Sequence, residues 1–352
     1  SNSVAFPFED LTWERTRTYD IGFEMSAWNG LLGVEFDYFY KYTFNILQSI
    51  GGIYPPSLGG HYPAYINDGT FDNRGFELVL RHRNRIGKFS YGVTGNLTFA
   101  RNRILSKQQA DNTLPWKNVL GSSLGALWGL KSDGLYQTEE ELANAPKPIG
   151  VQPRLGDIKY VDINGDGAIT ADDYVRIARS RMPEMMFSLS LDADYKGFDL
   201  SVQLQGAALC DRMLQATWNN GVADQTPLTV PWYGNYDNAP LYLVEGAWRP
   251  DNTNAEYPRL SVTKSSAGNN AQVSDFWKRN GAYLRLKNVV LGYTFPKRWM
   301  NRIGIDNLRI YFSGNNLLTA TEFRWIDPES ANVPTGYYPQ QRTFTFGVDL
   351  SF

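Results

Sequence analysis

The segment DINGDGAITADD, residues 162–173, sets oxygen-bearing side chains at alternate positions and follows them with a glycine. A hard cation such as calcium needs several oxygens converging at roughly 2.3–2.6 Å. The spacing follows the twelve-residue calcium-loop rule. Asp162, Asn164 and Asp166 take positions 1, 3 and 5, Gly167 makes the sharp turn, the Ala168 carbonyl takes position 7, Thr170 acts through water and Asp173 closes the set. The expected cofactor is one structural Ca2+ ion. Asp173 has a shorter reach than the glutamate usual at the last position, and LGDIKYV before the loop reads extended, so the form expected over 157–176 is dockerin-like, not a paired EF-hand. The competing reading is an Asx-rich turn closed by its own side chains.

Elsewhere the chemistry thins out. His61 and His82 have no His or Cys nearby to share a metal, and Cys210 stands alone, which excludes an intrachain disulfide and a Cys-rich zinc site. Glu139, Glu140 and Glu141 open a short solvated helix in the plainest reading, although paired carboxylates can act on a glycosidic bond. No catalytic residue and no enzymatic activity are expected. Flat aromatic faces suit sugar rings, and polar stretches carry Trp116, Trp128, Trp218, Trp232, Tyr233, Trp248 and Trp325. Trp218, Trp232 and Tyr233, set among Asn and Asp, are the expected substrate contacts; the same aromatics serve equally well as loop cores.

These residues need a scaffold, and composition narrows it. With 352 residues, 34 Lys+Arg against 36 Asp+Glu and a net charge of -2, the chain lacks the basic footprint of a nucleic-acid binder. No run approaches the roughly 18 apolar residues of a transmembrane helix, and SNSVAFPFEDLTWER lacks the layout of a signal peptide. Mildly negative mean hydropathy is nonetheless compatible with a membrane β-barrel, whose strands alternate lipid-facing and lumen-facing residues.

Period-two alternation is what the sequence carries. Tyr19, Ile21, Phe23 and Met25, then Val34, Phe36, Tyr38 and Tyr40, predict one long hairpin around Trp28-Asn29-Gly30. The pattern recurs near 76–80, 89–99, 187–195, 198–204, 289–293, 308–312 and 344–352, nine strands in all. Connections alternate short and long: long from 43 to 72, 100 to 184, 207 to 282 and 319 to 341. Outer-membrane barrels have this asymmetry, with short periplasmic turns and long external loops. Glu35, Asp37, Glu77, Arg81, Gln203 and Gln205 then fall on the lumen parity. In YLRLKNVVLGY, Arg285 and Lys287 share the parity of Val289, so either a bulge resets the register or both cations sit at the rim.

The blocks SLGALWGLKSDGLYQTEEEL, GDIKYVDINGDGAITADD, DYKGFDLSVQLQG, AYLRLKNVVLGYTFP, LRIYFSGNNLLTATEF and FTFGVDLSF, in this order, resemble the C-terminal part of SusC-like (SusC/RagA) TonB-dependent outer-membrane transporters over essentially the whole chain. The resemblance implies an all-β fold: about nine C-terminal strands of a 22-stranded antiparallel transmembrane barrel, residues 1–352, with the calcium-binding-like loop inside the long 100–184 external loop. It implies import of oligosaccharide or peptide nutrients, a SusD-like lipoprotein lid, TonB engaged through an N-terminal region that has no counterpart here, a plug, and a lipid bilayer around the barrel. Phe344, Phe346, Val348, Leu350 and Phe352 would form the signal read by the barrel-assembly machinery. A siderophore receptor fits these blocks less well. The rival reading from another class is a secreted, soluble, calcium-stabilised β-protein that binds or cleaves carbohydrate.

Overall fold

The structure, a computed structural model, describes residues 11–49, 57, 65–110, 113–214, 241–260, 268–324, 327–329 and 340–352. Nine strands follow one another around a single antiparallel sheet: β1 Arg15–Ala27, β2 Leu32–Ser49, β3 Tyr65–Ile86, β4 Phe89–Ser106, β5 Met185–Tyr195, β6 Phe198–Ala208, β7 Tyr283–Thr294, β8 Asn307–Thr321 and β9 Thr343–Ser351. Each pairs only with its chain neighbours, and β1 and β9 form the two edges. The connections at one end are 28–31, 87–88, 196–197 and 295–306, and the long ones all lie at the other. This is the alternation the sequence predicts.

The register shows why side chains sort so cleanly. One row across all nine strands reads Ser26, Gly33, Arg81, Thr94, Ser190, Gln203, Asn288, Asn315 and Thr343. The adjacent row reads Met25, Val34, Leu80, Gly95, Leu189, Leu204, Leu286 and Leu318. Because neighbouring residues on a strand point to opposite faces, one face is polar and the other apolar. The apolar face stays open to the surroundings: Ile21 is 75 % exposed, Leu291 49 % and Phe346 82 %. In water such a patch would be costly, and against lipid tails it is the matching surface.

At Lys287 the register slips against both neighbours, between Gln203 and Leu204 on one side and between Leu286 and Asn288 on the other. The bulge, rather than a rim location, accounts for the broken parity. It returns Arg285 to the polar face opposite Gln205.

Strands β2, β3 and β4 span 18, 22 and 18 residues, longer than the sequence pattern shows. Their upper ends rise past the apolar band, where nothing demands alternation. A substitution pair tests the two faces. Leu191→Arg on the apolar face should cost roughly 2–4 kcal/mol near the bilayer midplane, and Gln203→Arg on the polar face much less. Denaturant unfolding of the full-length protein in bilayers reads the difference; equal penalties would contradict the assignment of faces.

Candidate functional site

The polar face is knitted by ion pairs. Glu35 pairs with Arg81 across β2 and β3, as their diagonal positions on the inner parity allow, with Gly33 opposite Arg81 and Val79 opposite Glu35. Nearer the short turns, Arg309 on β8 grips both oxygens of Asp199 on β6, Nε to Oδ1 at 3.0 Å and Nη2 to Oδ2 at 2.6 Å, and reaches Asp349 on β9 at 3.1 Å. The bridge passes over Gly292 of β7, where a Cβ would lie 2.5 Å from the Asp199 carboxylate. Only a glycine leaves room there.

Above this wall the long connections pack on each other. Their shared core contains Leu130, Ile158, Tyr160, Ile177, Leu214, Leu243, Trp248, Tyr257, Trp277 and Phe323, all under 10 % exposed. The described parts of the 107–184 and 209–282 connections thus form a cap with its own hydrophobic centre. Short ribbons brace it, among them Leu127–Gly129 with Val175–Ala178 and Ser132–Leu135 with Ile158–Tyr160.

Two adjacent amides join the halves of the cap. The side chain of Asn270, fully buried, accepts from the Ile158 N–H at 2.9 Å and donates to Asp157 at 2.9 Å, while the backbone carbonyl of Asn270 takes the Trp277 indole N–H at 2.9 Å. Asn269 donates to the Ile158 carbonyl at 2.7 Å, and the Tyr160 hydroxyl donates to the Asn269 carbonyl at 2.7 Å. Losing such an amide strands buried partners at about 1–3 kcal/mol each. Burial pushes the Asp157 carboxyl above the usual carboxylate range, against the opposing pull of the Arg154 N–H and Asn270.

Two arginines clamp the cap to the wall. Arg212, 7 % exposed, donates to the Arg181 carbonyl at 2.6 Å and, through Nη2, to the Pro328 carbonyl at 2.8 Å. Arg285, 2 % exposed, bridges to Asp327 at 2.7 Å and pairs with Glu329, which also receives Gln205 and the Tyr283 hydroxyl. Residues 327–329 are thus held from above and below. Sequence reasoning did not assign this cluster; the parity break at Arg285 was its one signal.

The 162–173 segment folds as a tight turn. Asp162 accepts from Gly165 N–H at 2.7 Å and Gly167 N–H at 2.8 Å, and these bonds hold its carboxyl below the usual range. Asn164 accepts from Asp166 N–H and donates to the Asp166 carboxylate, whose other oxygen takes Ala168 N–H. Asp173 is fully buried and accepts from Ile163, Asn164 and Thr170 N–H groups, while Thr170 caps the turn 171–173. Among the described residues no three His, Cys, Asp or Glu side chains converge as a metal set. The Asx-turn network is complete by itself, with Asp173 Oδ1 taking two of these N–H groups and so engaging both of its lone pairs.

Trp218, Trp232 and Tyr233 lie outside the described residues, as do His61 and Trp325. The three remaining loop tryptophans are built into the cap: Trp248 sits in its core and donates to Gln137, Trp116 donates to the Asp172 carbonyl at 2.7 Å, and Trp128 lies in the Leu127–Gly129 ribbon opposite Arg176. His82 faces the Tyr91 hydroxyl at 2.9 Å. Glu139–Asn144 is the short helix expected, capped by Thr138. On β9, Phe344, Phe346, Val348 and Leu350 stand exposed on the apolar face, followed by Phe352 at 84 % exposure.

The profile of the family described as TonB dependent receptor-like, beta-barrel matches residues 1–317. The chain belongs to this family. Its curated relatives include TonB-dependent receptor P26 of Formosa agariphila, 31 % identical over 97 % of the chain, and TonB-dependent receptor SusC of Bacteroides thetaiotaomicron, 24 % identical over 98 %. The chain spans 35 % and 32 % of those two proteins. Among solved structures, the RagAB peptide transporter superposes with a TM-score of 0.66 at 23 % identity, covering 97 % of this chain and 36 % of that one, so the fold is shared. Members of this barrel family reside in the outer membrane, which gives the exposed apolar face its partner, the lipid bilayer. The rival expectation of a soluble secreted β-protein gives way here.

Proposed function

We propose that this chain is one arc of the barrel of a SusC-like importer that carries oligosaccharides or peptides across the outer membrane. The observation that carries the proposal is the two-faced sheet: a continuous polar wall, cross-linked by Glu35–Arg81 and Arg309–Asp199, backed by a continuous apolar surface. Unpaired strand edges cost several kcal/mol per buried polar group in lipid, so β1 and β9 require further strands to close the barrel. In this reading the long connections face outside, a plug fills the lumen, a SusD-like lipoprotein covers the cap, and TonB supplies energy through a segment outside this chain. The chain lines a path and makes or breaks no covalent bond. Oligosaccharide is supported by the sequence resemblance to SusC-like importers, peptide by that resemblance and by the likeness to the RagAB peptide transporter. Deleting the full-length gene should abolish growth on one class, oligosaccharides or peptides, as sole carbon source, and blocking TonB should reproduce that loss. Undiminished uptake of both classes would contradict the importer.

Calcium in the 162–173 loop belongs to the same proposal. Asp162, Asn164, Asp166 and Asp173 with the Ala168 carbonyl, and Thr170 through water, would supply the oxygens, and the ion would stiffen one end of the cap. Support comes from the spacing rule and from the placement of these Asx side chains on one turn. Calorimetric titration of the full-length protein should reveal one site of roughly 10⁻⁴ to 10⁻³ M, absent in Asp166→Ala. Identical heats for both proteins would leave a plain Asx turn.

A further inference from the structure

The apolar face of β1–β4 changes character with height. One row reads Phe23, Phe36, Leu78 and Leu97, and the next toward the long connections reads Ile21, Tyr38, Phe76 and Phe99. Above it come Tyr19, Tyr40, Arg74 and Arg101, then Arg17, Tyr42, Asp72 and Arg103, with Arg15 opposite Phe44 higher still. At the far end the same face carries Phe89 against Tyr195 and Phe198 against Tyr293, with ring centroids 6.5 and 4.6 Å apart. Along β4, Arg101 lies twelve positions beyond Phe89. At about 3.3 Å per residue and a tilt near 45°, that is roughly 28 Å, just beyond an apolar band of about 25 Å.

Five arginines therefore stand at headgroup height on the lipid side. Two carboxylates accompany them. Asp72, 1 % exposed, takes Arg103 at 2.9 Å and Arg74 at 3.3 Å, and Glu184 takes Arg101 at 2.6 Å. Five cations less two anions leaves the patch at three positive charges. The side chains of Arg74, Arg101 and Arg103 remain 39 %, 48 % and 41 % exposed, so each guanidinium is oriented by its carboxylate and still open outward. Arg17 lies over the Phe44 ring at 5.1 Å and Arg101 over Phe99 at 5.4 Å. Arg15 and Arg17 have no carboxylate partner among the described residues. Fixed, outward, planar forks match the geometry of phosphate oxygens.

We infer that this patch binds the phosphate of an anionic lipid headgroup in the outer leaflet, anchoring the barrel at a defined height. The inference rests on the barrel reading above, and its test keeps the two apart. The full-length protein, purified in neutral detergent, is offered mixed micelles of phosphorylated lipid A or of dephosphorylated lipid A. Arg15→Gln, Arg17→Gln and Arg74→Gln are combined, leaving Arg103–Asp72 and Arg101–Glu184 intact. Wild type should prefer the phosphorylated probe, and the triple variant should lose that preference, at about fivefold per arginine. Lys88→Gln with Lys196→Gln, at the opposite end, should leave it unchanged. Heat-modifiable electrophoretic migration reports whether each variant is a folded barrel, so a failed barrel is told from a failed lipid site. Equal affinity for the two probes in wild type, or an undiminished preference in the triple variant, overturns the inference. Full displacement by inorganic phosphate at equal concentration would assign the patch to a soluble anion and also overturns it.

Discussion

Everything in this chain depends on the antiparallel register. Inside a bilayer no water is available to backbone N–H and C=O groups, so each strand must find its partners in its neighbours. Once β1 to β9 are locked edge to edge, the period of two leaves no freedom about which residues meet lipid. A slip of one position would drive Gln203, Asn288 and Asn315 into hydrocarbon and pull Leu204 and Leu286 into the lumen. At Lys287, where the sequence breaks the alternation within the apolar band, the backbone inserts a bulge, and that bulge preserves both faces.

A different kind of interaction positions the cap. Its core is apolar, but its location is fixed by buried polar groups of known geometry: Asn269 and Asn270 between the two longest connections, Arg212 and Arg285 between the cap, residues 327–329 and the wall. Apolar packing alone is nondirectional and would let the connections slide. Hydrogen-bonded amides and forked guanidinium groups cannot slide without stranding a partner at about 1–3 kcal/mol. The cap is thus tied to the barrel wall at Arg285, on the same inner row as Gln205.

The sheet was legible in the sequence because lipid imposes a pattern that each strand repeats by itself: Phe187, Leu189 and Leu191 announce β5 without reference to any other segment. The upper ends of β2 and β3 were not legible, since above the bilayer the face constraint lapses and NILQS or YINDG carries no alternation. Nor were the clasps of the cap. Asn270 meets Ile158 across 112 positions and Arg212 meets Pro328 across 116, and nothing in the local sequence around one partner encodes the other. The 162–173 turn stands between these cases: its Asx spacing is legible in the sequence, and in the structure the same side chains close the turn through backbone N–H groups.

The most direct test of the two-ended, two-faced barrel is cysteine labelling with a membrane-impermeant maleimide on intact cells expressing the full-length protein without a lid lipoprotein. The native Cys210 is fully buried and should stay silent. Asp251→Cys, on the cap with its side chain 81 % exposed, should label at once, whereas Lys88→Cys, in the tight connection between β3 and β4, should label only after the outer membrane is opened. Labelling of Lys88→Cys in intact cells with protection of Asp251→Cys would contradict the account.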